Sequence, residues 1–168
     1  MLASVHRQET LNNPTWFREA VCAIRELSYL VPVVLLGYRS TVASVRSMGL
    51  EELGKAIVVD TCSYHDYLGL ISWAKAVVTD SSGLQDESSF LGVPCVTFRR
   101  RTHRVDTVEF GGNEVVGYDR RAIVKATIRR LSGELNQGIL PDVWYTDAGA
   151  AFARFFQIVL PAKTNLAE

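Results

Sequence analysis

The residues best suited to chemistry lie between Ala76 and Thr97, in the stretch AVVTDSSGLQDESSFLGVPCVT. An apolar run, Ala76-Val77-Val78, reads as a buried strand. It gives way to a polar turn, Thr79-Asp80-Ser81-Ser82-Gly83, and then to a helix-period segment in which Leu84, Ser88 and Leu91 share one face. The first N–H groups of a helix have no intrahelical acceptor and sit at the positive end of its dipole. Ser81 or Ser82 can cap this helix, and Gly83 lets a ligand approach the main chain closely. A diphosphate fits such a turn without any lysine. Gly92 closes the helix and Pro94 opens a second apolar run, Cys95-Val96-Thr97-Phe98. The whole is a βαβ unit, which places its ligand where turn meets helix. Alone, the same residues also describe a plain helix cap with two solvated serines.

The elements that must position this turn follow the same pattern in both directions. Leu2-Ala3-Ser4-Val5 reads as a strand that begins almost with the chain, as in a piece of a longer protein, and His6-Arg7-Gln8-Glu9 reads as a polar turn. Asn13 suits an N-cap and Pro14 the first position of a helix whose apolar face is Phe17, Ala20, Val21, Ile24 and Leu27. Val33–Leu36 is a buried strand type, Gly37–Ser40 a turn, and Val42, Val45 and Met48 mark a helix closed by Gly49. Ala56–Val59 is a third strand ending at Asp60. A loop to Asp66 leads into a helix through Leu68, Ile71 and Trp73. Beyond Phe98, Arg99 to Gly112 is polar and irregular. A short strand, Glu114-Val115-Val116, precedes a helix capped by Asp119 and carrying Ile123, Ala126, Ile128 and Leu131. Gly133 to Asp147 is loop, and Ala150 to Val159 a closing helix.

Alternating strands and helices predict an α/β fold: a three-layer, Rossmann-like domain with a parallel sheet. The ligand edge is then the carboxyl end of the strands. His6-Arg7, Tyr38-Arg39, Asp60 to Ser63, Ser81 to Gly83 and Arg99 to Arg104 share that rim, which favours an anionic ligand such as a phosphate ester or nucleotide. Within it Arg99-Arg100-Arg101 reads as solvated rim and Arg104 as the better anion ligand. His65 and His103 read as solvated or locally bonded, and Trp16, Trp73 and Trp144 as packing residues.

Composition narrows the classes. At 168 residues, with 48% hydrophobic and 21% charged residues, the chain is one ordinary globular domain. Lys+Arg and Asp+Glu are both 18, so no net field recommends nucleic acid or a membrane surface. Cys22, Cys62 and Cys95 are odd in number and widely spaced, without metal-ligand or disulfide spacing. That usage fits a reducing, cytosolic compartment. No apolar run is long enough to span a bilayer.

Thr79-Asp80-Ser81-Ser82-Gly83-Leu84-Gln85-Asp86-Glu87, followed by Leu91-Gly92-Val93-Pro94, resembles the TDSGG-[IL]-QEE…LG-x-P signature of UDP-N-acetylglucosamine 2-epimerases. His6-Arg7-Gln8-Glu9 resembles the HR-x-E element of that family. Thr102-His103-Arg104, Thr107-Val108-Glu109 and Gly111-Gly112-Asn113 resemble its TERP-x-TVE-x-GTN segment, in the same order and spacing across Val5 to Gly117. The resemblance implies a two-domain, glycosyltransferase-B-like enzyme. Residues 1–168 would be its single C-terminal nucleotide-binding domain, the N-terminal catalytic domain being absent. It also implies UDP or a UDP-N-acetylhexosamine as ligand and a role in cell-envelope polysaccharide synthesis, with a homodimer as one arrangement. In that family UDP is eliminated to give 2-acetamidoglucal and readded with inverted C2, so the resemblance implies neither NAD nor metal as cofactor.

The resemblance further implies roles for particular residues. Ser81, Ser82 and Gly83 meet the diphosphate, Arg104 adds charge, and Arg7 belongs to the nucleotide site. Glu87 accepts from the ribose, Tyr67 stands near the uracil, and His6 lies at the seat of elimination on the leaving-group side.

Some positions depart from the pattern. The family's H-P-R element is Gly37-Tyr38-Arg39 here, and SGG is Ser81-Ser82-Gly83. The glutamate and proline of TERP are His103 and Val105. The carboxylates that serve C2 proton transfer lie outside the chain, so it is expected not to turn over alone. Two readings therefore stand side by side: a nucleotide-sugar domain of an epimerase, or a non-catalytic binding or interaction module with a degenerate diphosphate site.

Overall fold

The computed structural model describes residues 1–37, 39–47, 53–60, 62–133 and 140–159. Among them six parallel strands form one sheet: β1 (Leu2–Ser4), β2 (Val34–Leu36), β3 (Ile57–Val59), β4 (Val77–Thr79), β5 (Cys95–Thr97) and β6 (Asn113–Val115). Their spatial order is β3-β2-β1-β4-β5-β6. The order reverses between β1 and β4, where such folds open a ligand crevice beyond the carboxyl ends of the strands. Helices connect the strands: α1 (Gln8–Leu11), α2 (Pro14–Ser28), α3 (Arg39–Ser47), α4 (Tyr64–Trp73), α5 (Ser82–Phe90), α6 (Val105–Glu109), α7 (Arg120–Leu131) and α8 (Ala148–Val159).

The period-two alternation of the strands sorts the core into two layers. Ala3, Leu35, Val78 and Val96 face one way, against Phe17, Ala20, Val21, Ile24 and Leu27 of α2 and Ile123 of α7. Leu2, Val77 and Cys95 face the other way, against Ile71 of α4 and Leu84 of α5. Full burial of each large aliphatic or aromatic side chain stabilises the fold by about 1.5–3 kcal/mol. The α2 face alone therefore anchors that layer. Asn13 caps α2 by accepting the Trp16 N–H at 3.1 Å, with Pro14 at the first helical position. Asp119 caps α7 by accepting the Ala122 N–H at 2.8 Å.

Several expectations are corrected. His6 to Glu9 is not wholly a turn, because α1 begins at Gln8 and the Leu11 N–H already donates to the Arg7 carbonyl. Helix α4 starts at Tyr64, inside the expected loop, because Ser63 caps it by accepting the Asp66 N–H at 3.2 Å. The segment after Phe98 contains α6, whose Thr107 is buried. Trp73 is not a packing residue: it ends α4 and is 92% exposed. Leu91 is exposed because the helix has already ended at Phe90, and Ile128 is exposed while its neighbour Thr127 takes the inward position. A 3-10 turn, Asp142–Tyr145, interrupts the expected loop before α8. The expected helix end at Met48 and Gly49 and the rim residue Tyr38 lie outside the described residues, as does the side chain of Arg39.

The loop carrying Arg99 to Arg104 is held to α5 by a buried polar network. Gln85, fully buried, accepts from Thr102 Oγ1 at 2.6 Å and from Asn113 Nδ2 at 3.2 Å, and donates to the Ser81 carbonyl at 2.9 Å. Asn113 also donates to Thr107 Oγ1 at 3.0 Å and accepts from Thr97 Oγ1 at 2.7 Å. Every polar atom bonded there avoids the cost of an unmade buried hydrogen bond, about 1–3 kcal/mol each. Gly111 permits the close approach, since a Cβ there would meet Ser89 Oγ at 2.5 Å and Thr107 Cα at 2.9 Å.

Candidate functional site

The crevice forms where β1 and β4 end. Asp80 follows β4 and is fully buried. One carboxylate oxygen accepts the His6 N–H and the other the Arg7 N–H, both at 3.2 Å. This carboxylate turns the chain after β1 and aims two side chains at the rim. The His6 ring stands with Nδ1 3.2 Å from Ser4 Oγ and 3.8 Å from Asp80 Oδ1. Asp80 is a positioning residue that attention to the serine pair alone misses; its signal is a lone acid closing an apolar strand.

Ser81 caps α5 by accepting the Leu84 N–H at 3.3 Å, which resolves which serine of the pair is the cap. Ser82, the first helical residue, turns its hydroxyl toward two cations. Arg7 Nη1 lies 2.9 Å and Arg99 Nη1 3.2 Å from Ser82 Oγ. Arg99 is only 6% exposed. Its assignment to a solvated rim is therefore wrong: the chain leaving β5 folds this side chain inward and only Arg100 and Arg101 outward. Among the described residues neither Arg7 nor Arg99 has a carboxylate within ion-pair distance. A buried cation without a counter-charge is costly. Buried Arg99 and half-buried Arg7, beside a helix N-terminus, form an electropositive notch suited to an anion. Gly83 leaves its side of the helix open, since a Cβ there would meet only Ser81 Oγ, at 3.9 Å.

A cavity of about 390 Å³ opens on one side of this notch, lined by Ser4, His6, Asp60, Tyr67, Ser81, Gly83 and Glu87 among others. Glu87 accepts from the Tyr64 hydroxyl at 3.2 Å and from the Tyr67 hydroxyl, so two tyrosines fix its carboxylate at the cavity wall. The Glu87 charge, with burial second, holds the Tyr64 hydroxyl protonated above the usual phenol range. Arg104 stands apart from this group. Its Nε pairs with Asp86 at 3.1 Å on the outer flank of α5, and it lines neither this cavity nor the one beside Arg99. Burial pushes the Asp86 carboxyl up, against the opposing pull of Arg104.

Of the residues singled out from the sequence, His6, Tyr67, Ser81, Gly83 and Glu87 meet in one cavity, and Arg7 and Ser82 border it. Gly37, at the end of β2, is tightly walled. A Cβ there would stand 3.1 Å from both Val42 Cγ2 and Val58 Cγ1, a close fit at the position where the family pattern has histidine. Among the described residues no cluster of His, Cys, Asp or Glu is arranged to hold a metal ion, and no helix is long and apolar enough to cross a membrane.

Sheet order and crevice define a Rossmann-like α/β domain of the kind that forms one half of a glycosyltransferase-B-like architecture. Residues 1–159 match the family described as UDP-N-acetylglucosamine 2-epimerase, and the chain belongs to it. It is 35% identical over 127 residues to the UDP-2,3-diacetamido-2,3-dideoxy-D-glucuronate 2-epimerase of Pseudomonas aeruginosa, covering 75% of this chain and 35% of that one. It is 29% identical over 141 residues to the UDP-N-acetylglucosamine 2-epimerase of Methanocaldococcus jannaschii, covering 80% and 38%. The chain thus spans under two-fifths of the length of these curated relatives. A crystal structure of the M. jannaschii enzyme in complex with UDP-GlcNAc and UDP superimposes with a TM-score of 0.78 at 26% identity, over 94% of this chain and 44% of that one.

Proposed function

We propose that the chain is the UDP-sugar-binding half of a 2-epimerase acting on a UDP-2-acetamido sugar. In this reading residues 1–168 form a single nucleotide-binding domain, completed by a second domain that closes over the crevice. The observation that supports the reading is the convergence of Arg7 and Arg99 on Ser82 at the start of α5, with neither guanidinium joined to a negative charge by an ion pair among the described residues. A diphosphate supplies that charge. Tyr67 and Glu87 then face the nucleoside, the carboxylate accepting from ribose hydroxyls.

Epimerisation by elimination needs a base that removes the C2 proton and groups that neutralise the departing UDP. The second task falls to this chain. The amides of the first turn of α5 and the two guanidiniums stabilise negative charge on the leaving diphosphate, and His6 stands beside them. When UDP returns to the glycal, the same groups hold it in place while the proton is redelivered to C2. The base belongs to the second domain, so the chain alone binds but does not turn over.

The test is a calorimetric titration with UDP and UDP-GlcNAc. Micromolar to millimolar binding, weakened in Arg7→Ala, supports the reading. Absence of binding at millimolar UDP replaces it with a non-catalytic module. Epimerised product from the purified chain contradicts the division of labour. Arg104→Ala serves as a comparison: in this reading Arg104 is engaged by Asp86 rather than by the diphosphate, and its loss leaves UDP affinity within about twofold.

A further inference from the structure

Strand β1 ends on a serine, where a strand buried between two layers ordinarily carries an apolar side chain. Leu2 and Ser4 are two residues apart and share a face of the sheet. Leu2 packs into the layer of α4 and α5, whereas Ser4, only 3% exposed, lies in register between Leu36 and Thr79 and reaches the wall of the cavity. A buried hydroxyl is costly unless it is bonded. The partner of Ser4 Oγ is His6 Nδ1, at 3.2 Å.

The backbone around that contact is clamped from two sides. Thr41 on α3 donates its hydroxyl to the Val5 carbonyl, and the Asp80 carboxylate accepts the His6 and Arg7 N–H groups. The main chain from Val5 to Arg7 is therefore set, and the freedom that remains is rotation of the His6 ring, which is 32% exposed. Two groups act on its Nδ1 edge. Ser4 stands within hydrogen-bond distance. The fully buried Asp80 carboxylate lies 3.8 Å away, too far to bond but close enough to favour a proton there. Nδ1 then carries the hydrogen and donates it to Ser4 Oγ. The far edge of the ring, with Nε2, is left to the cavity that Ser4 and His6 both line.

We infer that Ser4 is a positioning residue: its hydroxyl holds the His6 ring in the Nδ1–H form, the reverse of the tautomer a free histidine prefers, with Nε2 presented to the diphosphate. The inference rests on the UDP-sugar reading above and adds to it the group that orients His6. When the ring is protonated, Nε2–H donates to an oxygen of the departing diphosphate while Nδ1–H stays with Ser4. Charge growing on the leaving group then meets a donor that is already aimed.

The test pairs two measurements on the full chain. Long-range proton–nitrogen NMR of histidine-labelled protein at pH about 8.5, where imidazole is ordinarily neutral, reads the tautomer, with H6Q identifying the His6 signals. Calorimetric titration with UDP reads the consequence. The expected result is an Nδ1–H tautomer at His6. S4A moves it toward Nε2–H and weakens UDP binding about fivefold, the worth of one hydrogen bond. S4T keeps the tautomer and holds the affinity within about twofold. In the H6Q background S4A costs nothing further, because the two residues act as one unit. An Nε2–H tautomer in the unaltered chain, or an Nδ1–H tautomer that survives in S4A, overturns the inference. So does an equal loss of UDP affinity on S4A with and without His6, the outcome of a merely structural serine. Should S4A melt early, S4C, close in size and far weaker as an acceptor, is read in the same way. If UDP fails to bind while the Nδ1–H form is present and is lost in S4A, the hold of Ser4 on His6 stands and the UDP reading alone falls.

Discussion

Replacing Arg99 with methionine separates the cost of the notch from its use. The side chain is 94% buried by its 6% exposure, and its recorded polar contact is a 3.2 Å hydrogen bond to a neutral hydroxyl. In the unliganded chain such a group carries a desolvation penalty that one hydroxyl does not repay. Methionine is unbranched and fills the same slot. Exchange of a buried charge for a well-packed apolar residue is commonly neutral or stabilising by about 1–4 kcal/mol. Because the guanidinium keeps one hydrogen bond, the lower half of that range applies, roughly 0–2 kcal/mol. For a chain of this size the melting temperature then rises by between about 0 and 8 °C.

The same substitution removes a charge-assisted bond to bound diphosphate worth about 2 kcal/mol, so UDP affinity falls roughly thirtyfold. A thermal melt by circular dichroism, with and without UDP, reads both effects in one experiment. At a UDP concentration about a hundred times its Kd, the unaltered chain gains about 2.7 kcal/mol, a rise of roughly 5–11 °C. At that same concentration the variant gains under half as much. A variant that loses more than about 2 kcal/mol of stability while binding UDP normally would show Arg99 to be a structural residue, and the reasoning would fail.

Further consequences can be checked separately. Asp80→Asn leaves one of the His6 and Arg7 amides facing an NH2 group, so stability falls by about 2–3 kcal/mol and the urea midpoint drops with an unchanged m-value. A midpoint within error of the parent removes Asp80 from its positioning role. Glu87→Gln weakens UDP binding by about tenfold but leaves inorganic pyrophosphate affinity alone, because the carboxylate is placed for the ribose. Equal losses for both ligands would put Glu87 at the phosphates instead. Burial pushes the Cys95 thiol up to about 11, whereas Cys62 is exposed at the mouth of the first cavity. Iodoacetamide at neutral pH therefore labels Cys62 and spares Cys95, and UDP slows the Cys62 reaction. The raised Cys95 value means the folded state holds the proton more tightly than the unfolded. Its contribution to stability is intact below pH 9.0 and is lost as pH rises toward about 11, which a Cys95→Ala comparison of melts across that window isolates.

The parts of the site that follow local chemistry were legible in the residues. A cap such as Asn13 before Pro14, an apolar face repeating from Phe17 to Leu27, and a serine pair between a strand and a helix each leave a local signature. Glycine at position 83 likewise announces an open helix face. Arg99 was not legible, because three successive arginines look alike in composition. Which one turns inward depends on the register with which β5 ends against β4 and on the loop being pinned through Gln85 and Asn113, both long-range facts. Arg104 carried the matching motif position, yet Asp86, one helical turn beyond Ser82, captures it. Tyr64 was hidden in an expected loop. Its partnership with Glu87 exists only because Ser63 starts α4 early enough to place Tyr64 and Tyr67 on one face. Trp73 misled for the opposite reason, since a large apolar residue at a helix end need not reach the core.

The most direct measurement is a crystal structure of this chain grown with UDP. The account predicts a diphosphate seated at the first turn of α5, with oxygens within hydrogen-bond distance of the Ser82 and Gly83 amides and of the Arg7 and Arg99 guanidiniums, and with the ribose at Glu87. A diphosphate bound through Arg104 on the outer flank of α5, with Arg99 still bonded only to Ser82, would contradict it.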